Sequence, residues 1–261
     1  MGDVLVSRPA DALGVAELVM DRTEALNAVS TAQAEAIAAA AGELASDPSV
    51  RAVVLSSAAD KAFCVGADLK ERNTFTDDEL RRHRPISARA YRSILELPVP
   101  VVAAVHGYAL GGGMELALAC DVIVVDDTAV LGLPEVTVGL VPGGGGTQLL
   151  TRRSGWGRAA DLVFSGRRID AAEAYRLGVA DRLVDSGQAR TSAVELAATI
   201  AGNSPVGVRL AKKAMRLGSD SPLTAGLEIE DSAWRTAAFS GDRKEGIAAF
   251  NDKRAPIWPG V

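Results

Sequence analysis

The sequence predicts an α/β fold that ends in a helical lobe. Apolar, β-branched runs that read as buried strands alternate with helical patterns through most of the chain. Between Ala103 and Gln148, glycine runs at 111–113 and 143–146 break that alternation beside isolated acids. From Gln188 onward the pattern is helix after helix.

In chain order, residues 4–7 and 13–20 read as strands joined by a turn that Pro9 and Gly14 favour. Ser30 or Thr31 is placed to cap an alanine-rich helix over 31–45, which Asp47 and Pro48 end. Residues 50–56 (VRAVVLS) form a strand that runs through SAADKAF to Gly66 and a helix start at Ala67 to Lys70. Residues 76–97 are helical and arginine-rich, and Pro85 is expected to kink or break them. A further strand over 99–105 breaks at Gly107 and leads through the first glycine run into a short helix at 114–120 and a strand at 122–125. Short helices follow at 149–153, 158–164 and 171–177, the last capped by Asp170 and ended by Gly178. A short strand at 179–184 precedes four helices, at 188–201, 205–217, 222–239 and 242–253.

Composition excludes several classes. A chain of 261 residues, 48% hydrophobic, can bury a large core, and a net charge of −5 argues against general nucleic-acid or membrane-surface binding. Arg81, Arg82, Arg84, Arg89 and Arg92 therefore read as a solvated helix face rather than an RNA-binding one, with Tyr91 the sole aromatic among them. Cys64 and Cys120 sit in apolar contexts and are expected as buried, reduced thiols. No apolar run approaches membrane-spanning length and the first residues lack a signal-type core, so a cytoplasmic protein is expected. His83 and His106 are the only histidines, too little for a His-based metal site or triad, and no metal is expected. His106 is read as packed, and no P-loop, dinucleotide, zincin or nucleophile-elbow signature is present.

The chemistry is sought in Glu115 and Glu135, two acids twenty residues apart, each in apolar surroundings beside a glycine-rich break. Glycine lets the backbone approach a partner, and a glycine-rich helix start offers unpaired N–H groups to a phosphate, a carboxylate or an oxyanion. Taken alone, Glu115 supports two readings: acid–base chemistry, or a charge that complements the helix dipole. Asp68 and Lys70, at the other helix start, read individually as a dipole complement and a surface charge.

Several segments together resemble the crotonase (enoyl-CoA hydratase/isomerase) superfamily over essentially the whole chain: RTEALNAV, FCVGADLKE, VHGYALGGGMELALACD, LPEVTVGLVPGGGGTQLLTR and GIAAFNDKR, in order. The resemblance implies a ββα spiral core over 1–198 and a C-terminal helical lobe over 199–261 that serves oligomerisation and CoA contacts. It also implies a homotrimer or a dimer of trimers. An acyl-CoA thioester is the implied partner, and no cofactor is implied, since coenzyme A belongs to the substrate. Residue by residue, the oxyanion hole maps to the N–H groups of Ala67 and Gly112, and the two acids of the hydratases map to Glu115, for water activation, and Glu135, for the α-carbon proton. Ala25, Asp68, Leu69, Lys70, Gly111, Pro134, Leu140 and Gly143 map to the substrate and CoA path. Phe250 and Lys253 map to the nucleotide end; without the resemblance, they would read as core and solvent-exposed.

Two departures from the family pattern stand out. Glu24 occupies a position that is often basic, and Leu131 and Leu133 stand near the acyl pocket where many relatives carry Phe and Gln. Hydration of a trans-2-enoyl-CoA is the leading expectation because both acids are present. Double-bond isomerisation is a second, and a non-catalytic, RNA-associating protein of the same fold a third.

Overall fold

The computed structural model describes residues 3–261. β1 (Val4–Ser7) and β2 (Val15–Met20) pair antiparallel, and α1 (Thr31–Ser46) follows with its first turn capped by the Ser30 hydroxyl, which accepts from the Gln33 N–H. The chain then makes three pairs of one longer and one three-residue strand. These are β3 (Ala52–Ser57) with β4 (Ala62–Cys64), β5 (Val101–Val105) with β6 (Tyr108–Leu110), and β7 (Val122–Asp126) with β8 (Val130–Gly132). β4 leads into α2 (Leu69–Arg72) and α3 (Asp77–Leu95), β6 into α4 (Gly112–Ala119), and β8 into a 3-10 turn at Pro134–Val138. After α5 (Gly146–Ser154) and α6 (Trp156–Ser165) come β9 (Arg168–Asp170), α7 (Ala171–Arg176) and β10 (Arg182–Val184). The chain finishes in α8 (Ala189–Ala201), α9 (Pro205–Ser219), α10 (Leu223–Ala238) and α11 (Gly241–Asp252).

The pairs are shared between two sheets. The longer strands join a six-stranded sheet in the order β1-β2-β3-β5-β7-β10, and the short strands join a four-stranded sheet in the order β4-β6-β8-β9. Except for β1–β2 and β8–β9, all pairings are parallel. Each strand pair therefore steps from one sheet to the other, and successive pairs stack in register, as Val102 with Val122 and Tyr108 with Val130 show.

Burial explains why the central strands are mainly apolar. Val53, Leu55, Ala103, Val105, Ile123 and Val125 face the larger core, together with α1, α3 and α4. The alternate residues Ala52, Val54, Val102, Ala104 and Val124 face a second cluster, closed by Ala193, Ala197 and Ala201 of α8. A parallel strand covered on both faces needs such a run, and alanines at every fourth position let α8 lie close against the sheet. Residue 198 lies inside this helix. The next helix is tied to the core through Asp121, which accepts from Lys212 Nζ at 2.7 Å and Arg216 Nη2 at 2.8 Å.

Two local expectations need correction. α3 runs without a break through Pro85. Pro85 lies on the exposed side, where water can satisfy the carbonyl it leaves unbonded. The four-stranded sheet has no counterpart in the sequence pattern, because strands of three residues carry no period that a pattern can show. Cys64 and Cys120 are free and buried, as expected. Among the described residues no helix is long and apolar enough to cross a membrane.

Candidate active site

The short sheet delivers one piece of the site at the end of each parallel strand. Gly66 and Ala67 follow β4, Gly111 to Glu115 follow β6, and Pro134 and Glu135 follow β8. All three pieces line one cavity of about 620 Å³, whose remaining wall comes from α2, α3, residues 137–141 and the second glycine run.

The first two pieces meet closely. A Cβ on Gly66, whose φ is +94°, would lie 2.7 Å from the Leu110 carbonyl oxygen and 3.1 Å from the Gly112 nitrogen. Only glycine allows that approach. The N–H groups of Ala67 and Gly112, beside this contact, donate to no backbone acceptor among the described residues. Gly112 opens α4, so its N–H also stands at the positive end of the helix dipole.

Glu115 is buried, at 3% exposure, and Oε1 accepts from the Gly144 N–H at 2.6 Å and the Gly146 N–H at 2.8 Å. The second glycine run thus holds the protein's own carboxylate, whereas the sequence left a phosphate open. A Cβ on Gly144 would sit 2.7 Å from Glu115 Oε2 and 2.7 Å from Tyr91 Cγ, so these glycines pack directly over the acid. Burial at this depth also sets aside the reading of Glu115 as a mere dipole complement.

Arg84 extends this arrangement. Its Nη2 donates at 2.6 Å to the Gly143 carbonyl, in the same peptide unit whose N–H bonds Glu115. A guanidinium on the oxygen polarises that unit and strengthens the N–H as a donor.

Glu135 has a different environment. Its Oε2 is buried with no hydrogen-bond partner, and burial, with a smaller contribution from the Glu115 charge, raises its carboxyl to about 7. Burial also raises Glu115, opposed there by the two N–H bonds and by Arg84 and Arg72. When the pair shares one proton, it belongs on Glu135, since Glu115 has two backbone donors and two cations to hold its charge and Glu135 has only its own N–H.

Of the residues singled out from the sequence, Ala67, Leu69, Gly111, Gly112, Glu115, Pro134, Glu135, Leu140 and Gly143 line the cavity. Ala25, Asp68, Lys70, Phe250 and Lys253 are outside its wall. Asp68 is a structural residue: it caps α2 by accepting from the Lys70 and Glu71 N–H groups and pairs with Arg22 Nη1 at 2.7 Å. Phe250 is 83% exposed on α11, contrary to the core position its apolarity suggested, and Lys253 follows it at the exposed end of that helix. Glu24 is turned toward Arg22, with Oε1 3.7 Å from Nε. Leu131 and Leu133 are fully buried in the main core and leave the cavity to others.

Sequence reasoning missed the α3 wall. Leu80, Arg84, Ser87 and Tyr91 recur along one helix face and line the cavity with Arg81 and His83. All five arginines are exposed, as the solvated-face reading expects, but Arg81 and Arg84 also line the cavity, whereas Arg82, Arg89 and Arg92 are off its wall. The three-and-four spacing was legible, but the arginines within it pointed to solvent. His106 is a packed residue, its Nε2 2.8 Å from the Ala59 carbonyl.

A family model described as enoyl-CoA hydratase/isomerase matches residues 11–260. The chain is 36% identical over 240 residues to the short-chain-enoyl-CoA hydratase of Clostridium acetobutylicum, covering 92% of each. It is 38% identical over 251 residues to the mitochondrial methylglutaconyl-CoA hydratase of Mus musculus, covering 95% of this chain and 80% of that one. The crystal structure of an enoyl-CoA hydratase from Bacillus anthracis superposes with a TM-score of 0.96 at 38% identity, covering 99% of this chain and all of that one. The two-sheet architecture is thus the crotonase fold, and the chain belongs to the enoyl-CoA hydratase/isomerase family.

Proposed function

We propose that the protein is an enoyl-CoA hydratase, adding water across the 2,3 double bond of a trans-2-enoyl-CoA to give a 3-hydroxyacyl-CoA. The observation that carries this reading is the pair of buried acids in one cavity, one held by backbone N–H groups and the other raised to about 7. The thioester carbonyl rests on the N–H groups of Ala67 and Gly112. Water lies between the acids. Glu115, ionised, takes a proton from the water as its oxygen bonds to Cβ. The electron pair of the double bond moves toward the carbonyl, and the two N–H groups stabilise the enolate oxygen; one such donor is worth about 2.7–4 kcal/mol of barrier. Glu135, protonated, then gives its proton to Cα, and the pair returns to its starting state by passing the proton from Glu115 to Glu135 through solvent.

Leu69, Gly111, Pro134, Leu140 and Gly143 lie where they can border the thioester and acyl chain. Contacts from Phe250 or Lys253 to the nucleotide would come from a neighbouring copy of the chain, since neither reaches the cavity of its own. A trimer or a dimer of trimers fits the apolar side chains that the C-terminal helices leave exposed, such as Met215, Trp234 and Phe250. The substrate brings its own coenzyme A, and the scheme needs no other cofactor.

The test is loss of conjugated thioester absorbance with crotonyl-CoA, with Glu115→Gln and Glu135→Gln in parallel. Hydration that both variants abolish supports the reading. Migration of the double bond without uptake of water would replace it with an isomerase.

A further inference from the structure

Tyr91 stands on α3 in the cavity wall, only 5% exposed, and its ring is held between two glycines. A Cβ on Gly144 would lie 2.7 Å from Tyr91 Cγ and 2.8 Å from Cδ1, and the same point is 2.7 Å from Glu115 Oε2. A Cβ on Gly112 would run into the Tyr91 hydroxyl oxygen, at a point 3.6 Å from Gly66 Cα. The ring therefore has a direction. Its Cγ end packs beside the Glu115 carboxylate, and its hydroxyl end reaches the seam between Gly66 and Gly112, against the α-carbon of Gly112 and one bond from that residue's N–H. Room for the hydroxyl exists there because residue 112 has no side chain.

The hydroxyl has nothing in the protein to bond. Among the described residues it meets no hydrogen-bond partner, and it is not one of the unpartnered polar atoms sealed from the surface, so it opens onto the cavity. The Ser87 hydroxyl, one turn earlier on the same helix face, donates instead to the Arg84 carbonyl. A hydroxyl held this deep is costly unless something else satisfies it. Burial, and then the Glu115 charge, raises the phenol, which stays protonated and keeps a hydrogen to give.

Its position says what receives that hydrogen. The Glu115 carboxylate lies at the opposite end of the ring, with Oε1 taken by the Gly144 and Gly146 N–H groups. Glu135 Oε1 stands over the neighbouring glycine, 3.1 Å from where a Cβ on Gly111 would lie. At the seam itself the hydroxyl is accompanied by the N–H groups of Ala67 and Gly112, which donate to no backbone acceptor among the described residues. Three donors at one seam, with no protein acceptor between them, suit an oxygen that gains negative charge.

We propose that the Tyr91 hydroxyl is a third donor to the thioester oxygen, completing with the Ala67 and Gly112 N–H groups the site that holds the enolate. The inference rests on the enoyl-CoA reading of the same cavity. The phenol keeps its proton throughout, and its hydrogen bond strengthens as charge moves onto the oxygen. A contact that is stronger in the transition state than in the bound ester acts on kcat rather than on KM.

Tyr91→Phe keeps the ring against Gly144 and removes only the hydroxyl. With crotonyl-CoA, kcat should fall about 10²–10³-fold with KM little changed, and the pH limbs set by the two acids should stay where the wild type has them. The deciding measurement is the infrared carbonyl stretch of bound butyryl-CoA, a saturated and unreactive ester, isotope-labelled at the thioester carbonyl. Each hydrogen bond to that oxygen lowers the stretch, so it should lie below the free-ester value in the wild type and rise in Tyr91→Phe. Replacing Tyr91 by fluorotyrosine, a more acidic phenol of nearly the same size, should lower it further. Unchanged kcat in Tyr91→Phe would overturn the proposal, and so would a stretch that neither replacement moves. A fall in kcat accompanied by a displaced pH limb would overturn it too, because the hydroxyl would then serve the protonation of an acid. If the wild type does not hydrate crotonyl-CoA but the stretch still rises in Tyr91→Phe, the hydratase reading fails and the third donor stands.

Discussion

The six-stranded and four-stranded sheets are built from the same stretches of chain, yet they do different work. In the larger sheet, β2, β3, β5 and β7 are buried on both faces, and most of their side chains are valine, leucine, isoleucine or alanine, with Glu17, held by Ser56 and Arg190, the charged exception within β2. In the smaller sheet, β4, β6 and β8 are three residues long, and what matters is where each one stops. Ala67, Gly112 and Glu135 lie just past those ends, in one cavity. One sheet supplies stability through area removed from water, and the other supplies position through parallel pairing. Substitutions in the two should therefore fail differently.

The largest effect is expected at the end of β8. Glu135→Gln should lower turnover by about 10²–10⁴-fold in a steady-state hydration assay, with little change in unfolding midpoint. Unchanged turnover would remove Glu135 from the chemistry. Gly144→Ala tests positioning at the second glycine run: its methyl must displace Glu115 or Tyr91, and kcat should fall about 10²-fold. In the larger sheet, Leu55→Ala should cost about 2–5 kcal/mol in denaturant unfolding while kcat per folded molecule is kept. A large loss of kcat there would blur the division between the sheets.

A pH series sharpens the same contrast. Glu135 is raised from the ordinary 4.5 to about 7, so between those values the native protein holds a proton that the unfolded chain has released. Its contribution to stability falls as pH rises through that window, and Glu135→Gln should remove that part of the slope. With Glu135 as proton donor, hydration should also decline above about pH 7. A rate that rises through this range would reverse the roles of the acids. The smallest effect belongs to a helix cap outside the cavity wall: Ser30→Ala should cost about 1 kcal/mol in denaturant unfolding.

Much of this molecule was legible without coordinates, and what was legible is local. The apolar runs of β3, β5 and β7, the Ser30 cap, the burial of both cysteines and the succession of C-terminal helices depend on neighbours within a few residues. Strand ends, caps and apolar periods are written at that range. The glycine breaks and the two acids could be marked as candidates for the same reason. The family resemblance added the mapping of the oxyanion N–H groups.

Tertiary structure decided the rest, through contacts between distant segments. Whether Glu115 neutralises a helix end or sits buried under a second glycine run depends on Gly144 and Gly146, some thirty residues away. The short strands exist because β4, β6 and β8 pair with one another, and three residues alone carry no signal. The α3 arginines are all exposed, and only the packing of that helix across the cavity sets Arg84, bonded to the Gly143 carbonyl, apart from Arg82. The raised carboxyl of Glu135 likewise comes from desolvation. Sequence determines which groups are available, while burial by remote segments determines their charge, their partners and what they can bind.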